Sequence, residues 1–539
     1  MKKIQYLFAT IVLGLGLTSC GDSFLTQYPE GGVLLQDQYD KLPDNLEGSI
    51  LGIYSKLYEY GGHSTFGLRS IDMYGDIQCG DMAMKRSNYG WFEDYERGYF
   101  YTDARSYLWS YYYEIINLTN RGTLALEGKV DTIMSVIAAG ETPKGEVLNW
   151  GYAYGQLLAI RGWAYANLLK FFCNPMDALA NPMDDQLAIP IYTEVEIAAG
   201  TLGTPLATVS EVYGLIYEDL STAIDVLDYY GQKRSRSSKL EVNADVARIF
   251  LAYAMLNHGN TEGTIIAGGK NAYEIALEQA KAVIDGGNYP MLKKAELLTT
   301  GFADVNAKNW MWGQDVTVEN TTGLGSFFGQ VDVHTYSYAA AGDTKCIDSR
   351  LYDDIVAQGW DARVDWFRPG DSKKFPYCPD GKFYNPNTKD VTALDSVDRN
   401  WLCDNVFMRV EVAYLIAAEA AYQNGDETTA KDYLKALCDE RVLDGKDAEY
   451  NTWLGTLSGE ALKNAIAYNW RVEMWGEGYG LQTFRRLTKS VKLGSNHLSR
   501  SNQDLTTAGE MEKYQCQIPV SEARYNPYLA TTELVKEEE

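Results

Sequence analysis

Histidine is scarce in this chain of 539 residues, and so is positive charge. The four histidines, His63, His258, His334 and His497, form no His-Glu-x-x-His and no close pair, which argues against a zinc hydrolase. Lysine and arginine number 48 against 73 aspartates and glutamates, a formal net charge of −25. Such a surface repels the phosphates of nucleic acid and the headgroups of anionic lipid, so neither is expected as a partner. Apart from Cys20, the cysteines are Cys79, Cys173, Cys346, Cys378, Cys403, Cys438 and Cys516, an odd and scattered set without a Cys-x-x-Cys. That pattern suits neither a disulfide framework nor a zinc site; buried free thiols are the expectation, with no metal or other cofactor. Gly263 and Gly268 have P-loop spacing, but Gly269-Lys270-Asn271 follows where Lys-Ser/Thr is needed, and Gly323-Leu324-Gly325 is a lone glycine pair. No Gly-x-Ser-x-Gly elbow occurs. Two carboxylates about 5–10 Å apart would serve a glycosidase, but among so many acidic residues chance pairs are certain. Binding is favoured over catalysis, and no catalytic residue is assigned.

Long hydrophobic runs are missing as well, with one exception at the start. Met1-Lys2-Lys3 precedes an apolar stretch from Ile4 to Leu17, followed by Leu17-Thr18-Ser19-Cys20-Gly21. The stretch falls short of the ~20 residues a spanning helix needs. A charged start, a short apolar stretch and a small-residue cut site describe a signal peptide. The Leu-x-Ser-Cys ending is a lipobox, which makes residues 1–20 a lipoprotein signal segment and Cys20 the lipid anchor. Several acyl chains on one cysteine, at about 0.8 kcal/mol per buried methylene, anchor stably where one chain would be marginal.

What the chain has in excess is tyrosine and tryptophan, 40 and 12 against 16 phenylalanines. Both combine a flat apolar face with a polar handle, which suits wet recognition surfaces as well as cores. Helical periodicity dominates the rest. Phe407, Val410, Tyr414, Ala417, Ala418 and Ala421 form one stripe, Asn424-Gly425-Asp426 breaks it, and Ala430, Tyr433, Leu434 and Leu437 form another. Two short helices about a glycine turn, with alanines where they cross, read as a tetratricopeptide unit. Residues 243–257 with 273–285, 148–171 with 209–227, and 46–60 with 105–121 read as further pairs. Such hairpins cannot bury their faces alone, so they stack into a solenoid. Residues 74–101 and 292–404, rich in Gly, Asp, Asn, Tyr and Trp, resist the pattern. The expected fold is mainly α: a tetratricopeptide-like scaffold over residues 21–539, a single unit carrying large irregular, loop-rich insertions.

Specific motifs then resemble those of a known family. They are Phe24-Leu25-Thr26-Gln27-Tyr28-Pro29, Arg161-Gly162-Trp163-Ala164-Tyr165, Ile189-Pro190-Ile191, Thr208-Val209-Ser210-Glu211-Val212-Tyr213, Met408-Arg409-Val410-Glu411 with Leu415–Ala420, and Asn526-Pro527-Tyr528-Leu529. In this order they resemble the SusD/RagB outer-membrane nutrient-binding lipoproteins. Ser210 is the N-cap candidate of the helix it starts, with Glu211 in the first turn. Arg471-x-Glu473-x-x-x-Glu477-Gly478 keeps that family's penultimate-helix core, but Trp470 replaces the usual leading Glu and the following Arg and Asp are missing. These residues look like scaffold.

The resemblance implies a non-enzymatic, lipid-anchored protein at the outer membrane. Its partners would be a glycan and a TonB-dependent transporter of SusC type, to which the glycan is passed. A protein-binding repeat scaffold or a surface glycoside hydrolase are the competing readings. Aromatics on the irregular loops favour the glycan reading, and Trp91, Trp310, Trp312 and Trp360 all lie off the repeats. The family has no universal binding motif, so ligand-binding candidates come from local chemistry: Asn88, Tyr89 and Trp91 in the first irregular region, and Trp310, Trp312 and Tyr336 in the second. Trp91 is expected to be exposed and free of core contacts. The anchor reading has a direct test. Cys20→Ala should abolish metabolic palmitate labelling, and label that persists in the variant would disprove it.

Overall fold

The computed structural model describes residues 46–99, 103–177, 181–233, 238–259, 266–299, 301–334, 336–384, 401–508 and 510–529. Cys20 and the Phe24–Pro29 motif lie outside them. Helices of ten residues or more are α1 (Leu46–Leu57), α2 (Leu68–Cys79), α3 (Asp103–Ala125), α4 (Val130–Ala139), α5 (Glu146–Phe172), α6 (Val209–Gly231), α7 (Ala244–His258), α8 (Ala272–Gly286), α9 (Ser349–Gln358), α10 (Glu411–Gln423), α11 (Glu427–Asp439) and α12 (Gly459–Glu473). The strands form small antiparallel pairs: β1 (Met82–Ala83) with β5 (Cys346–Ile347), β2 (Leu187–Pro190) with β3 (Leu206–Thr208), β4 (Trp310–Gln314) with β6 (Asn405–Arg409), and β7 (Ser490–Lys492) with β8 (Asp504–Thr506).

The long helices pack in succession, α3 on α5, α5 on α6, α6 on α7, α7 on α8, α8 on α10 and α10 on α11, which gives the expected stack of helical hairpins. Glycines set the closest crossing. A Cβ at Gly151 would lie 2.4 Å from the Tyr230 ring, one at Gly155 2.7 Å from Leu227, and one at Gly162 2.8 Å from Leu220. Only hydrogen at these positions lets α5 lie directly on α6. At the α10–α11 turn Gly425 takes a φ of 80°, and Asp426 caps α11 by accepting the Thr429 N–H at 3.0 Å. Ala418 and Ala430 are fully buried, as the repeat signature requires.

Several expectations change. The N-cap of helix α6 is Thr208 rather than Ser210: the Thr208 hydroxyl accepts the Glu211 N–H at 3.2 Å while the Glu211 carboxylate accepts the Thr208 N–H at 2.8 Å. This reciprocal capping box leaves Ser210 inside the helix. Phe407 belongs to β6, and the helix begins only at Glu411. The first irregular region is shorter than expected, because Leu68–Cys79 forms a helix buried on every side.

A buried ion cluster joins the second irregular region to the repeats. Arg409, beside the start of α10, contacts Glu473 at 2.7 Å and Glu477 at 2.9 Å. Arg441 contacts Glu411 at 3.1 Å and Glu473 at 2.9 Å. Arg363 pairs with Asp361 at 2.6 Å and Lys382 with Glu477 at 2.8 Å. Burial alone would raise the Glu473 carboxyl, but Arg441 and Arg409 outweigh it and hold it well below the ordinary range. Arg471 binds Asp81 at 2.6 Å. The Arg-x-Glu-x-x-x-Glu motif and the Arg409/Glu411 pair are therefore structural.

A second buried group closes the 490–508 segment onto the rest. His497 places Nδ1 2.9 Å from Glu96 and Nε2 3.2 Å from Asp348, so both nitrogens need a proton to donate. Burial alone would lower its pKa, but hydrogen bonds to Asp348 and Glu96 prevail and raise it to about 9.

Two outcomes are expected. Ala418→Trp overfills the α10 crossing, a change that typically costs about 1–3 kcal/mol and more for so large a side chain; an unaltered melting curve would contradict the hairpin. For His497 the folded pKa lies above its unfolded value near ~6.5. Its stabilisation, roughly 3 kcal/mol, is thus complete below about pH 6.5 and is lost as pH rises through about 9. Calorimetric melts across that window should fall more steeply for the native chain than for His497→Gln, and parallel curves would refute the assignment.

Candidate functional site

Three segments distant in sequence bring their aromatic side chains to one surface. The first is the turn after α1, where Gly61 N–H donates to Thr65 O at 2.8 Å and Thr65 N–H to Gly62 O at 3.3 Å, presenting Tyr60 and His63. The second is residues 88–92, between β1 and a short helix over Glu93–Arg97, with Asn88, Tyr89 and Trp91. The third, residues 336–343, carries Tyr336 and Tyr338. Their rings form one group. His63 lies 5.6 Å from Tyr60, 5.1 Å from Trp91 and 5.2 Å from Tyr338, and Tyr338 lies 5.1 Å from Tyr89. The His63 imidazole is also hydrogen-bonded at both nitrogens, Nε2 to the Tyr60 hydroxyl at 3.3 Å and Nδ1 to that of Tyr338 at 3.1 Å.

Buried polar groups hold the three segments together, largely through the backbone. The Asp343 carboxylate accepts the Tyr89 N–H at 3.0 Å and the Asn88 N–H as well. Asn88 Nδ2 donates to Ala341 O at 2.6 Å. Gln330 Nε2 donates to His63 O at 2.7 Å, while Gln330 Oε1 accepts from Lys345 Nζ, also at 2.7 Å. Lys345 is fully buried, and burial depresses its ammonium to about 8. Glycine makes room for two of the surface side chains. A Cβ at Gly342 would fall 2.1 Å from Asn88 Nδ2, and one at Gly325 would fall 2.2 Å from the Tyr60 ring. Within Gly323-Leu324-Gly325, Gly325 thus serves packing, whereas Gly323 faces open space at a φ of 58°. Beneath the surface Phe92 packs against Tyr74 at 4.7 Å.

Tyr60, Tyr89 and Tyr336 are 54%, 49% and 42% exposed. Burial, then the neighbouring Tyr60, Tyr89 and Tyr336, raise the Tyr338 phenol above its ordinary value, so its hydroxyl keeps its proton. The result is a platform of flat apolar rings bordered by hydroxyls and the Asn88 amide.

Of the expected site residues, Asn88, Tyr89, Trp91 and Tyr336 come together here. Trp91 is half-buried rather than exposed, wedged against His63 and packed on the core, with its indole N–H unpartnered. Trp310 and Trp312 are corrections. On β4, Trp310 is fully buried and donates to Gly301 O at 2.7 Å. Trp312 packs among Trp163, Phe250 and Phe407 with 1% of its surface exposed. Neither offers a ring face to a surface ligand. Trp360, cited as lying off the repeats, is buried in the core with its ring tilted against Trp453 at 4.7 Å. Tyr60, His63 and Tyr338 were not anticipated. The Tyr60-Gly-Gly-His63 break after a helix was the available signal.

Two sequence families match the chain in separate stretches. Residues 49–251 match one described as "starch-binding associating with outer membrane", and residues 382–530 match the SusD family. The chain belongs to the SusD/RagB family. Solved structures agree in fold. A SusD superfamily protein from Bacteroides thetaiotaomicron superposes with a TM-score of 0.67 at 19% identity, covering 92% of this chain and 99% of that one. A SusD-like carbohydrate-binding protein from Bacteroides vulgatus gives 0.62 at 21% identity, covering 92% and 97%. A putative sugar-binding protein from the same organism gives 0.64 at 22%, again covering 92% and 97%. No curated protein matched. The platform of this SusD/RagB member falls partly inside the matched stretches, at residues 60–91, and partly between them, at residues 336–343.

Proposed function

We propose that the aromatic platform is a glycan-binding surface. On this reading the chain, held at the outer membrane through Cys20, captures an oligosaccharide and delivers it to a SusC-like TonB-dependent transporter. The observation that carries the reading is the convergence of Tyr60, Trp91 and Tyr338 around His63, with Tyr89 against Tyr338 and the exposed Tyr336 as its neighbour, on loops rather than on the repeats. Pyranose rings present apolar C–H faces edged with hydroxyls, and such a ligand calls for flat rings to stack on and a few fixed polar groups beside them. Here the rings are tyrosines, and the polar groups are their own hydroxyls and Asn88. The net charge of −25 favours neutral over acidic polysaccharides. Attachment is through the lipid on Cys20 in this reading; among the described residues no helix is long and apolar enough to cross a membrane. The role is binding, without a catalytic step.

A glycan array on the chain lacking residues 1–20 should give a hit whose affinity is then measured by titration calorimetry. Tyr89→Ala/Tyr336→Ala should weaken that affinity about 30-fold or more, since truncating a binding anchor costs about 2 kcal/mol or above. Stability should change little, because substitutions at exposed positions usually stay within about 0.5 kcal/mol each. Trp91→Ala should weaken binding too and, because the ring is half-buried, lower stability by about 1–2 kcal/mol. Undiminished affinity in the double variant would overturn the assignment of this surface.

A further inference from the structure

Cys346 and Cys378 stand apart from the other buried thiols: they share a small apolar cluster with Ala83, Val333 and Ala339. Their backbones run side by side, with the Ile347 N–H donating to Tyr377 O at 3.1 Å. Cys346 is fixed by the pairing of β5 with β1, opposite Ala83. Cys378 is fixed because its N–H donates to Phe375 O at 3.2 Å and its carbonyl accepts the Arg368 N–H at 2.9 Å. Within this cluster the Cys346 thiol donates to Ala83 O at 3.3 Å and accepts from Asn496 Nδ2 at 3.5 Å. Two cysteines on adjacent, pinned backbones in one cluster need only side-chain rotation and a small approach to reach S–S bonding distance, about 2 Å.

We propose that Cys346 and Cys378 are a disulfide-forming pair, oxidised by thiol–disulfide exchange as the chain folds outside the cytoplasm. Its occurrence in the cell rests on the surface location argued above; the chemistry does not. With glutathione disulfide as the oxidant, one cysteine thiolate attacks a glutathione sulfur, breaking that S–S bond and releasing one glutathione. The second cysteine attacks the protein-bound sulfur of the mixed disulfide, forms the Cys346–Cys378 bond and releases the other glutathione. The two thiol protons end on the two glutathiones. Exchange precedes closure of the cluster, because both sulfurs are inaccessible afterwards. The neighbouring Cys378 thiol and burial together hold the Cys346 thiol well above its ordinary range, which keeps the closed, reduced pair unreactive. The bond would join the strand beside Asp343 and Lys345, which mount the platform, to the loop holding Phe375 and Tyr377 at positive φ.

The test is peptide mapping. The chain lacking residues 1–20 is refolded in a glutathione redox buffer or in excess thiol reductant, then denatured, alkylated with iodoacetamide and digested. The oxidised sample should contain one linked peptide pair, Cys346 to Cys378, lighter than the two separate peptides by two hydrogen atoms. Cys79, Cys173, Cys403, Cys438 and Cys516 should be alkylated, and Cys378→Ser should show no cross-link. Alkylation of both Cys346 and Cys378 in the oxidised native chain, or links that omit this pair, would overturn the proposal. The native chain decides alone if the variant fails to fold. Mapping the protein isolated from membranes then tests the location separately, since a link formed in vitro but absent there would count against export and not against the pair.

Discussion

Four cations and four carboxylates are buried together where the irregular region meets the repeats. Arg363, Lys382, Arg409 and Arg441 face Asp361, Glu411, Glu473 and Glu477. An unmatched charge in such surroundings is expensive, and removing one partner of a buried pair typically costs about 3–5 kcal/mol. The members come from β6, from α10, from the ends of α11 and α12, and from the irregular region itself. Any arrangement that separates these segments strands a charge away from water. The cluster therefore fixes how residues 361–382 sit against the helical stack, while apolar packing such as the α5–α6 contact supplies the driving force.

The platform depends on that docking. Its first two segments belong to the N-terminal part of the chain, whereas Tyr336, Tyr338 and the supporting Asp343 and Lys345 belong to the irregular region. Tyr338 meets His63 across 275 residues of sequence. Such a meeting forms only when the irregular region is set in one position, which the ion cluster and the β1–β5 pairing provide. Lys345 is costly to bury and is accommodated by Gln330 and the Asp343 carbonyl, so the base of the platform is itself tied to polar satisfaction.

The helical scaffold was legible because its signal is local. The Ala418 and Ala430 stripes and the Asn424–Asp426 turn act within a few residues or between sequential helices. Boundaries were less so: Thr208 and Ser210 are equally good caps by composition, and only the reach of Glu211 distinguishes them. Phe407 fits a helical stripe as well as a strand, and the pairing of its strand β6 with β4 is a long-range fact. The same reason accounts for the tryptophans. A Gly- and Asp-rich context suggests an exposed loop, yet Trp310 and Trp312 lie on a strand enclosed by α7, β6 and their own neighbours. Tyr89 and Tyr336 were found through composition, whereas Tyr60, His63 and Tyr338 become a site only once the fold unites them.

The mounting of the platform has a consequence for how such a surface can diversify. Asp343 grips the chain at 88 and 89 by the peptide N–H groups, and Gln330 grips it at 63 by the carbonyl. Every residue type carries that carbonyl, and every type but proline carries that N–H. The frame thus holds the position of the loop without reading most of its side chains. Tyr89 can be exchanged for another residue while the loop stays in place, so the outer face of the platform can be rewritten at such positions on an unchanged support.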